Sequence, residues 1–550
     1  MWFTTTNKLT EGRDISINMK DADISKKRLV YIFAFLSLVY FGLFVIPNST
    51  GAVNEDMIAI FEIDEYAQYP HVIRMLEGGS DLKQTIRGFL VYLHYFYGYP
   101  FYFFSALILL PMRLIMGNEW AAQTPTIMLT LRQFINVLPN IITVWLLSYA
   151  ATKFKSVYKS VGIFLLLLVL PGLSNNSLWW HTDGLALLCM ALIFFFLRID
   201  NLRFGRHFWY CAILAGVGIS LKYIGAFFIF VIPLYLVYGI HSKAISWKKS
   251  LFSAALFLVI MFVSLLVSNP LLLLPLERSE IISTQLRQFE YNSEGILIGR
   301  APLLQGGMLP SWLVQNYGSL PFLLLVFVAI LYGLIKQETR GKAFLLVGWL
   351  LPNFIVLVTA AHGRSHYWLP VFLPAICALV FLFPDDWKQL SAYKAARIIS
   401  TLAILLIVVQ AGFFLNTTLN KFLTTTHRVN TSSSLQFYYA VKPQIAEWQD
   451  KERIVVYRDW KVYFPESDLF DVFTDWDLAS YALIDSRDPD IVILERENVL
   501  TYGDEFYLEN SPDNDRILAM HDFYRDALME DLSGYSLFYE DAFGLVFERQ

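Results

Sequence analysis

Long apolar runs separated by short basic clusters are the dominant pattern of this chain. The first run, from about Leu29 to Pro47, approaches the ~20 residues that cross a bilayer as a helix. Similar runs recur as far as Ile398–Leu415, and their alternation with the basic clusters predicts about eleven transmembrane helices. We therefore expect an α-helical polytopic membrane protein.

The basic clusters also predict the orientation, because Lys and Arg are enriched in cytoplasmic loops. Lys20, Lys26, Lys27 and Arg28 precede the first run, which places a tail of residues 1–27 in the cytoplasm. The later cytoplasmic turns carry Lys153/Lys155/Lys159, Arg198/Arg203/Arg206, Lys243/Lys248/Lys249, Lys336/Arg340/Lys342 and Lys388/Lys394/Arg397. The expected location is a bacterial inner (plasma) membrane.

Two segments between basic clusters are too short for two full-length spans, although each must cross and return. In the segments from Val161 to Leu197 and from His207 to His241 we predict short helices that reverse at recessed polar turns. The turns fall at Trp179–Asp183 and Leu221–Gly225. A cavity open to the outer side would explain both, since irregular backbone at membrane depth is tolerated where it lines a cavity. The run Tyr99–Met116 would break the charge alternation as a span, which predicts an in-plane or re-entrant helix.

Composition agrees with a membrane protein and excludes a soluble one. The chain is 56% hydrophobic and 16% charged, with a mean hydropathy of +0.47. A soluble chain could not cover that much apolar surface. The three cysteines all lie in apolar spans, so no disulfide framework is expected. The bilayer is an expected partner, and nucleic acid is not.

A second region follows the last span. A Ser/Thr/Asn-rich linker, residues 416–434, leads to a small α/β domain, residues 435–550, whose acidic excess is typical of a solvated position away from the cytoplasm. Buried strands are predicted at Ile454–Tyr457 and Asp490–Leu494, and a hairpin at Leu537–Phe547.

The candidate chemistry begins with Asp64 and Glu65, adjacent carboxylates in the first outer loop. Placing an ionised pair at a membrane surface costs free energy, so the pair needs an explanation. The simpler explanation is structural: a surface helix is predicted from Glu65 to Glu77, and acidic residues in its first turn are favoured by the helix dipole. Further polar residues fall in the two recessed turns, Asp183 and Lys222, and in the later segment His362–Pro370.

These motifs resemble the GT-C superfamily of polyprenyl-phosphate-sugar-dependent glycosyltransferases, in particular the protein O-mannosyltransferase and aminoarabinose transferase branch. The resemblance rests on the order and shared side of five motifs and covers roughly residues 28–415, the predicted catalytic domain. The motifs are Ile63-Asp64-Glu65-Tyr66, His181-Thr182-Asp183-Gly184, Ser220-Leu221-Lys222-Tyr223, Ser268-Asn269-Pro270 and His362-Gly363-Arg364-Ser365-His366-Tyr367-Trp368-Leu369-Pro370.

The resemblance implies transfer of a monosaccharide, with inversion, from an undecaprenyl- or dolichyl-type phosphate to a protein, lipid or glycan acceptor. In this reaction an acceptor hydroxyl attacks the anomeric carbon and needs a carboxylate base. The phosphate that leaves needs cations to compensate its charge. Asp64 is the predicted base, with Glu65 or Asp183 in support. The predicted phosphate ligands are Lys222, Arg364 and Arg287, with Arg278 and Arg300 as weaker candidates. The predicted substrate-binding residues are His181, Tyr223, Tyr291, His366 and Tyr367. No metal or other cofactor is expected.

Several of these residues also fit simpler roles. Lys222 can snorkel from a helix end, Arg364 can anchor a helix at the interface, and Trp179 and Trp180 can belong to an interfacial aromatic belt. The alternative functions are an O-antigen ligase or polymerase, a lipid-linked sugar transporter or flippase, and a non-catalytic scaffold for the outer domain. A transporter would favour midplane charges and two pseudo-symmetric halves, and neither is visible.

Overall fold

The computed structural model describes residues 15–294, 311–359, 364–385, 394–446, 453–476, 478–509 and 515–550. The helices up to the second recessed turn are α1 Ile15–Asn48, α2 Glu55–Phe61, α3 Ile63–Glu77, α4 Leu82–Leu90, α5 Tyr99–Met116, α6 Thr124–Leu131, α7 Leu138–Thr152, α8 Val157–Leu168, α9 Pro171–Asn176, α10 Asp183–Asp200 and α11 Arg206–Leu221. A π-helical turn, Arg132–Val137, joins α6 to α7.

The remaining helices complete the membrane region and build the C-terminal domain. They are α12 Val231–His241, α13 Trp247–Ser268, α14 Pro275–Glu294, α15 Ser311–Tyr317, α16 Leu320–Ile335, α17 Arg340–Thr359, α18 Leu369–Cys377, α19 Lys394–Thr431, α20 Ser433–Ala446, α21 Tyr481–Arg487, α22 Arg496–Tyr502, α23 Glu505–Glu509 and α24 Asp515–Leu528. The 3₁₀ segments are Gly117–Ala122, Tyr223–Phe230, Pro270–Leu273, Ser365–Trp368 and Ala378–Leu382.

Eight helical segments of the described residues are long and apolar enough to cross a membrane, or nine if α15 and α16, bent by 62°, form one span. The predicted number of eleven includes the shorter or more polar helices α8, α10 and α11 and leaves out α5. The predicted α-helical multi-pass architecture is confirmed. All three cysteines are free and buried.

Helix α5 packs against the interfacial helix α3. Its N-terminus lies at the second recessed turn, where the Gly98 N–H donates to the Leu221 carbonyl at 3.0 Å. At its other end Arg113 Nε donates to the carbonyl of Leu76, near the end of α3. Helix α5 meets the length and hydropathy requirements of a span. Its two ends nevertheless contact the second recessed turn and the end of α3, which the charge pattern assigns to the same side. The in-plane or re-entrant interpretation therefore stays a prediction that these contacts favour.

Both recessed turns are breaks between short helices, as the sequence predicted. Lys222 is in an extended conformation between α11 and the 3₁₀ segment Tyr223–Phe230. The two arms pack very closely, because a Cβ on Gly225 would lie 2.1 Å from the Gly218 carbonyl oxygen. The glycine permits this approach. The first turn contains the short helix α9 and ends where α10 begins at Asp183.

The segment predicted as a linker is helical, since α19 continues without a break to Thr431. Its threonines satisfy their hydroxyls locally; Thr424 and Thr426 donate to carbonyls four residues earlier, at 2.9 and 2.8 Å. Thr50 and Arg428 add contacts between α19 and the end of α1. Polar composition indicated a linker, whereas the structure continues the helix through it and packs it against the end of α1.

The C-terminal domain contains a five-stranded sheet in the order β2-β1-β3-β5-β4. The strands are β1 Ile454–Arg458, β2 Phe470–Phe473, β3 Ile491–Glu495, β4 Tyr535–Glu540 and β5 Gly544–Arg549. β1 is parallel to β2 and β3, whereas β5 is antiparallel to β3 and β4. The predicted strands and hairpin are present; β2 was not predicted.

Both faces of this sheet are covered, which explains the continuous apolar sequence of β3. Ile491 and Ile493 pack on one side with α20, and Val492 and Leu494 pack on the other with α24. The domain docks on α2 in the first outer loop: Met57 joins the core beneath α20, and the buried guanidinium of Arg458 pairs with Asp56. The domain thus lies on the same side as Asp64.

Candidate active site

The acidic pair opens α3, and its two carboxylates have different surroundings. Glu65 is fully buried and forms a two-point ion pair with Arg132, whose Nε lies 2.8 Å from Oε1. The backbone N–H of Trp180 also donates to Oε1, at 2.6 Å. The Glu65 carboxylate is therefore engaged by protein donors on both oxygens, and it holds the first recessed turn against α3.

Arg132 was not predicted, and it connects three parts of the site. Besides Glu65, its NH1 donates to the carbonyls of Asn48 and Thr50, each at 2.9 Å. These contacts join the π-helical turn to the end of α1 and to the start of α3. The signal in the sequence was an ionisable residue inside an apolar span, which is by default a functional or structural anchor.

Asp183 begins α10 and is the centre of a buried polar cluster. Its Oδ1 accepts a hydrogen bond from Lys222 Nζ at 2.8 Å. Its Oδ2 lies 3.0 Å from His181 Nδ1 and 3.7 Å from His366 Nε2. Lys222 is only 5% exposed and also lies 4.7 Å above the ring of Tyr367. The structure thus brings together both recessed turns and the segment that follows α17.

Aromatic rings enclose this cluster. Trp179 stacks on His181 with ring centroids 4.1 Å apart, and His366 meets both rings edge to face. Trp180 is buried instead, stacked on Phe101. Trp179 therefore lines the polar cluster, whereas Trp180 belongs to the core; neither position requires an interfacial belt.

Tyr97 is a second unpredicted residue, and it links the two carboxylate positions. Its hydroxyl lies 2.8 Å from His181 Nε2. Burial raises the pKa of the Tyr97 phenol well above its usual value, and the nearby charges of Asp64 and then Asp183 contribute further. The phenol therefore stays protonated and can donate to His181. Its position in a Tyr- and His-rich loop was the only sequence signal.

Asp64 is the least engaged carboxylate of the site. Its side chain is 27% exposed, and it lies 3.5 Å from Arg364 NH1, a long and weak ion pair. Arg364 is 51% exposed. The two residues come from α3 and from the segment before α18, as the shared outer side predicted.

The other predicted residues are less closely connected to the cluster. Tyr223 is half-buried next to Lys222. Arg287 is exposed on α14 and reaches Thr284 of its own helix at 3.4 Å, and Arg278 is exposed on the same helix. The side chain of Tyr291 and all of His362, Gly363 and Arg300 lie outside the described residues.

Three side chains of the described cluster could hold a metal ion. His181, Asp183 and His366 offer donor atoms that all lie within 4.8 Å of one another, and two imidazoles with one carboxylate are a ligand set that zinc accepts. The Lys222 ammonium, however, already places a positive charge against Asp183.

The space inside this cluster is small. Asp183, Ile224, His366 and Tyr367 line one cavity of about 10 Å³. That volume is about the minimum for one water molecule, so any larger ligand would have to lie outside the cluster, where Asp64 and Arg364 are accessible.

One solved structure supports the fold. No protein-family model and no curated protein matches the chain. The crystal structure of ArnT from Cupriavidus metallidurans bound to undecaprenyl phosphate is similar over 94% of this chain and 97% of that chain, with a TM-score of 0.52 and 13% identity. The match to the apo oligosaccharyltransferase of Archaeoglobus fulgidus covers 94% of this chain and 74% of that chain, with a TM-score of 0.48 and 10% identity.

The similarity to ArnT extends further along the chain than the motifs suggested. A coverage of 94% reaches beyond residues 28–415 and includes part of the C-terminal domain, where the sequence shows no recognisable motif. At 13% identity this similarity concerns the fold. The chain therefore has the GT-C fold.

Proposed function

We propose that this protein is an inverting membrane glycosyltransferase. It takes a monosaccharide from a polyprenyl phosphate of the undecaprenyl or dolichyl type and transfers it to a protein, lipid or glycan acceptor on the non-cytoplasmic face. The observation that carries the proposal is the arrangement of Asp64 and Arg364 at the outer rim of a buried Asp183–Lys222 cluster, in a GT-C fold. The ArnT structure of similar fold contains undecaprenyl phosphate.

The three carboxylates differ in how freely they can accept a proton. Glu65 is held by Arg132 and the Trp180 N–H. Asp183 is buried, with Oδ1 bonded to Lys222 and Oδ2 facing His181 and His366. Asp64 has a long contact with Arg364 and keeps solvent access. A general base needs a free oxygen within hydrogen-bond reach of the acceptor hydroxyl. Asp64 is therefore the base, and Glu65 has a positioning role.

The leaving phosphate requires positive charge where its negative charge develops. Arg364 is accessible and presents a planar guanidinium suited to two phosphate oxygens. Lys222 lies deeper, and Asp183 uses one of its three N–H donors. In this proposal Arg364 contacts the incoming phosphate first, and Lys222 stabilises the charge that forms on bond cleavage.

Charge compensation by two basic side chains leaves no role that requires a divalent ion. We propose that transfer is metal-independent and that His181 and His366 act on the sugar and on Asp183. His181 is orientated by the stacked Trp179 ring and by Tyr97, and His366 by its contact with Asp183.

The test is donor turnover by the purified full-length protein in liposomes. Synthetic short-chain polyprenyl phosphates carrying a hexose, a pentose or an aminopentose are offered with membrane extract as acceptor source, and release of polyprenyl phosphate is measured. We expect release from at least one donor, with inverted anomeric configuration in the product, and release at least ~10²-fold slower from Asp64→Asn. Folded protein that translocates these lipids without cleaving them would contradict the proposal and support a flippase.

A further inference from the structure

An apolar-walled cavity that reaches two basic side chains lies at the opposite end of the helix bundle from Asp64. It has a volume of about 350 Å³ and is enclosed by the ends of α7, α10, α12 and α17 together with α18 and the 3₁₀ segment after it. Most of its wall is apolar, including Phe194, Leu345 and Phe381. The volume is within the range of small-molecule and cofactor sites.

Two basic side chains, Arg198 and Lys342, line this cavity. Lys153 and Lys155 are close enough for their charges to act on the Lys342 ammonium. The buried Nε of Arg198 has no hydrogen-bond acceptor among the described residues. A buried donor without a partner costs about 1–3 kcal/mol, more when it is charged, so an acceptor is expected at this position.

The nearby acids of the described chain are already engaged. Asp200 accepts the Tyr235 hydroxyl at 2.7 Å and two backbone N–H groups at 2.9 Å. Asp385 pairs with Lys159 at 2.7 Å, although its charge also acts on Lys342. Glu338, at the exposed rim, lies 3.3 Å from Lys336. The cavity therefore combines apolar walls with an excess of positive charge.

This cavity is separate from the carboxylate cluster. Asp183 begins α10 and Arg198 follows 15 positions later, which corresponds to ~22 Å along the helix axis. The basic residues belong to the turns that the charge pattern assigns to the cytoplasm. A ligand here would enter from the inner leaflet rather than from the outer side.

We propose that this cavity binds an anionic phospholipid of the inner leaflet. The lipid phosphate would contact Arg198 and Lys342, and one acyl chain would occupy the apolar part between α7 and α17. Basic pockets between transmembrane helices on the cytoplasmic side suit anionic headgroups, since each Lys or Arg near the membrane surface attracts an anionic lipid electrostatically. The apolar wall adds affinity that a free phosphate would not gain.

The experiment is native mass spectrometry of the full-length protein in detergent, titrated with dioleoyl phosphatidylglycerol. Dioleoyl phosphatidylcholine, inorganic phosphate and farnesyl phosphate are the comparison ligands. The test variant is Arg198→Gln with Lys342→Gln. The matched control is Lys248→Gln with Lys249→Gln, which removes two exposed charges from the same face outside the cavity.

We expect one phosphatidylglycerol to bind to the wild type and to the control with equal affinity, and roughly 30-fold more weakly to the test variant. Arg198→Lys with Lys342→Arg keeps both charges and should retain most of the affinity. Ala151→Trp keeps the charges but fills the cavity, and should also weaken binding. These two variants distinguish loss of the site from a folding defect.

Three results would overturn the proposal. Equal affinity for phosphatidylcholine would show that binding does not depend on the charge of the headgroup. Unchanged binding by both Arg198→Gln with Lys342→Gln and Ala151→Trp would place the lipid elsewhere. Displacement of phosphatidylglycerol by inorganic phosphate or farnesyl phosphate at lower concentration would assign the pocket to a different phosphate. None of these readouts depends on glycosyl transfer.

Discussion

Glu65 and Arg132 form a fully buried, two-point ion pair, with Arg132 Nε 2.8 Å from Glu65 Oε1. The pair joins α3 to the π-helical turn after α6, and Arg132 continues to two carbonyls at the end of α1. The neighbouring Asp64 is partly exposed. Two adjacent carboxylates that look alike in the sequence therefore have different surroundings: Glu65 fixes the loop, and Asp64 keeps solvent access.

Asp64→Asn is expected to reduce transfer by ~10²–10⁴-fold, the usual contribution of a general base. The substitution is nearly isosteric, and the exposed position of Asp64 predicts little change in thermal stability. Initial rates in membranes with matched expression provide the measurement. Glu77→Gln, at the exposed end of the same helix, is the control and should behave as wild type. A rate within a few-fold of wild type for Asp64→Asn would remove the base assignment.

Arg132→Met should destabilise the protein strongly, because it leaves the Glu65 carboxylate buried and unpaired. Breaking such a pair typically costs about 3–5 kcal/mol. We expect a lower apparent Tm in detergent and a lower yield of folded protein. Combining Arg132→Met with Glu65→Gln removes the stranded charge and should recover part of the stability. Equal stability of the single and the double variant would mean that the pair is not a structural contact.

The sequence predicted the fold further than it predicted the site. Apolar runs and basic clusters were enough to locate the helices, because burial in lipid imposes length and charge rules that are visible in one dimension. The strands around Ile454 and Ile491 were equally visible as apolar runs. β2 was not, since its sequence Phe470–Phe473 contains an aspartate and only its first residue is buried.

The candidate site could be predicted only in part, because its contacts join segments that are distant in the sequence. The order of motifs along the chain was enough to propose Asp64, Asp183, Lys222 and Arg364. Which of them touch depends on packing between distant segments. Glu65 pairs with Arg132, which lies in a span that carries no motif. His181 pairs with Tyr97, which lies in a loop that carries none either. Polar composition at residues 416–434 likewise indicated a linker, whereas α19 continues through most of this segment, to Thr431.

The two basic residues at the site should affect different kinetic constants. Arg364→Gln is expected to raise the donor KM by about tenfold or more with a smaller change in kcat, since an accessible guanidinium contributes to ground-state binding. Lys222→Met should lower kcat by at least the factor by which Arg364→Gln raises the donor KM. The reason is that the buried ammonium acts on charge that forms in the transition state. Steady-state kinetics with a short-chain donor measure both.

Arg287→Gln is the control for these two variants, because the exposed Arg287 contacts only its own helix among the described residues. We expect its donor KM to stay near the wild-type value. If Arg287→Gln raised KM while Arg364→Gln did not, the phosphate site would have to be placed along α14 instead.

Removal of divalent ions should leave transfer unchanged. Protein purified with EDTA and assayed with EDTA is expected to keep its wild-type rate, and elemental analysis should find less than one zinc or manganese per chain. The reason is that Lys222 supplies the charge facing Asp183. Loss of activity that Mn²⁺ or Zn²⁺ restores, together with one bound ion that His366→Ala abolishes, would instead make His181, Asp183 and His366 a metal site.

Glu62 predicts a pH-dependent stability. It lies immediately before α3, where burial raises its pKa to about 7 and the Glu65 charge adds to this, while Arg428 opposes it. A raised carboxyl pKa favours the protonated form in the folded state. The associated stability is fully present below the usual pKa of 4.5 and is lost as the pH rises through about 7.

Glu62→Gln is neutral at every pH and should avoid this loss. We expect the apparent Tm of the variant to match the wild type near pH 5 and to exceed it increasingly up to pH 8, measured by intrinsic fluorescence in detergent. Glu77→Gln, exposed at the other end of α3, should show no such pH-dependent difference. A variant that gains the same Tm at pH 5 and pH 8, or that loses Tm as the pH rises, would show that Glu62 is ionised in the folded protein and stabilised by Arg428.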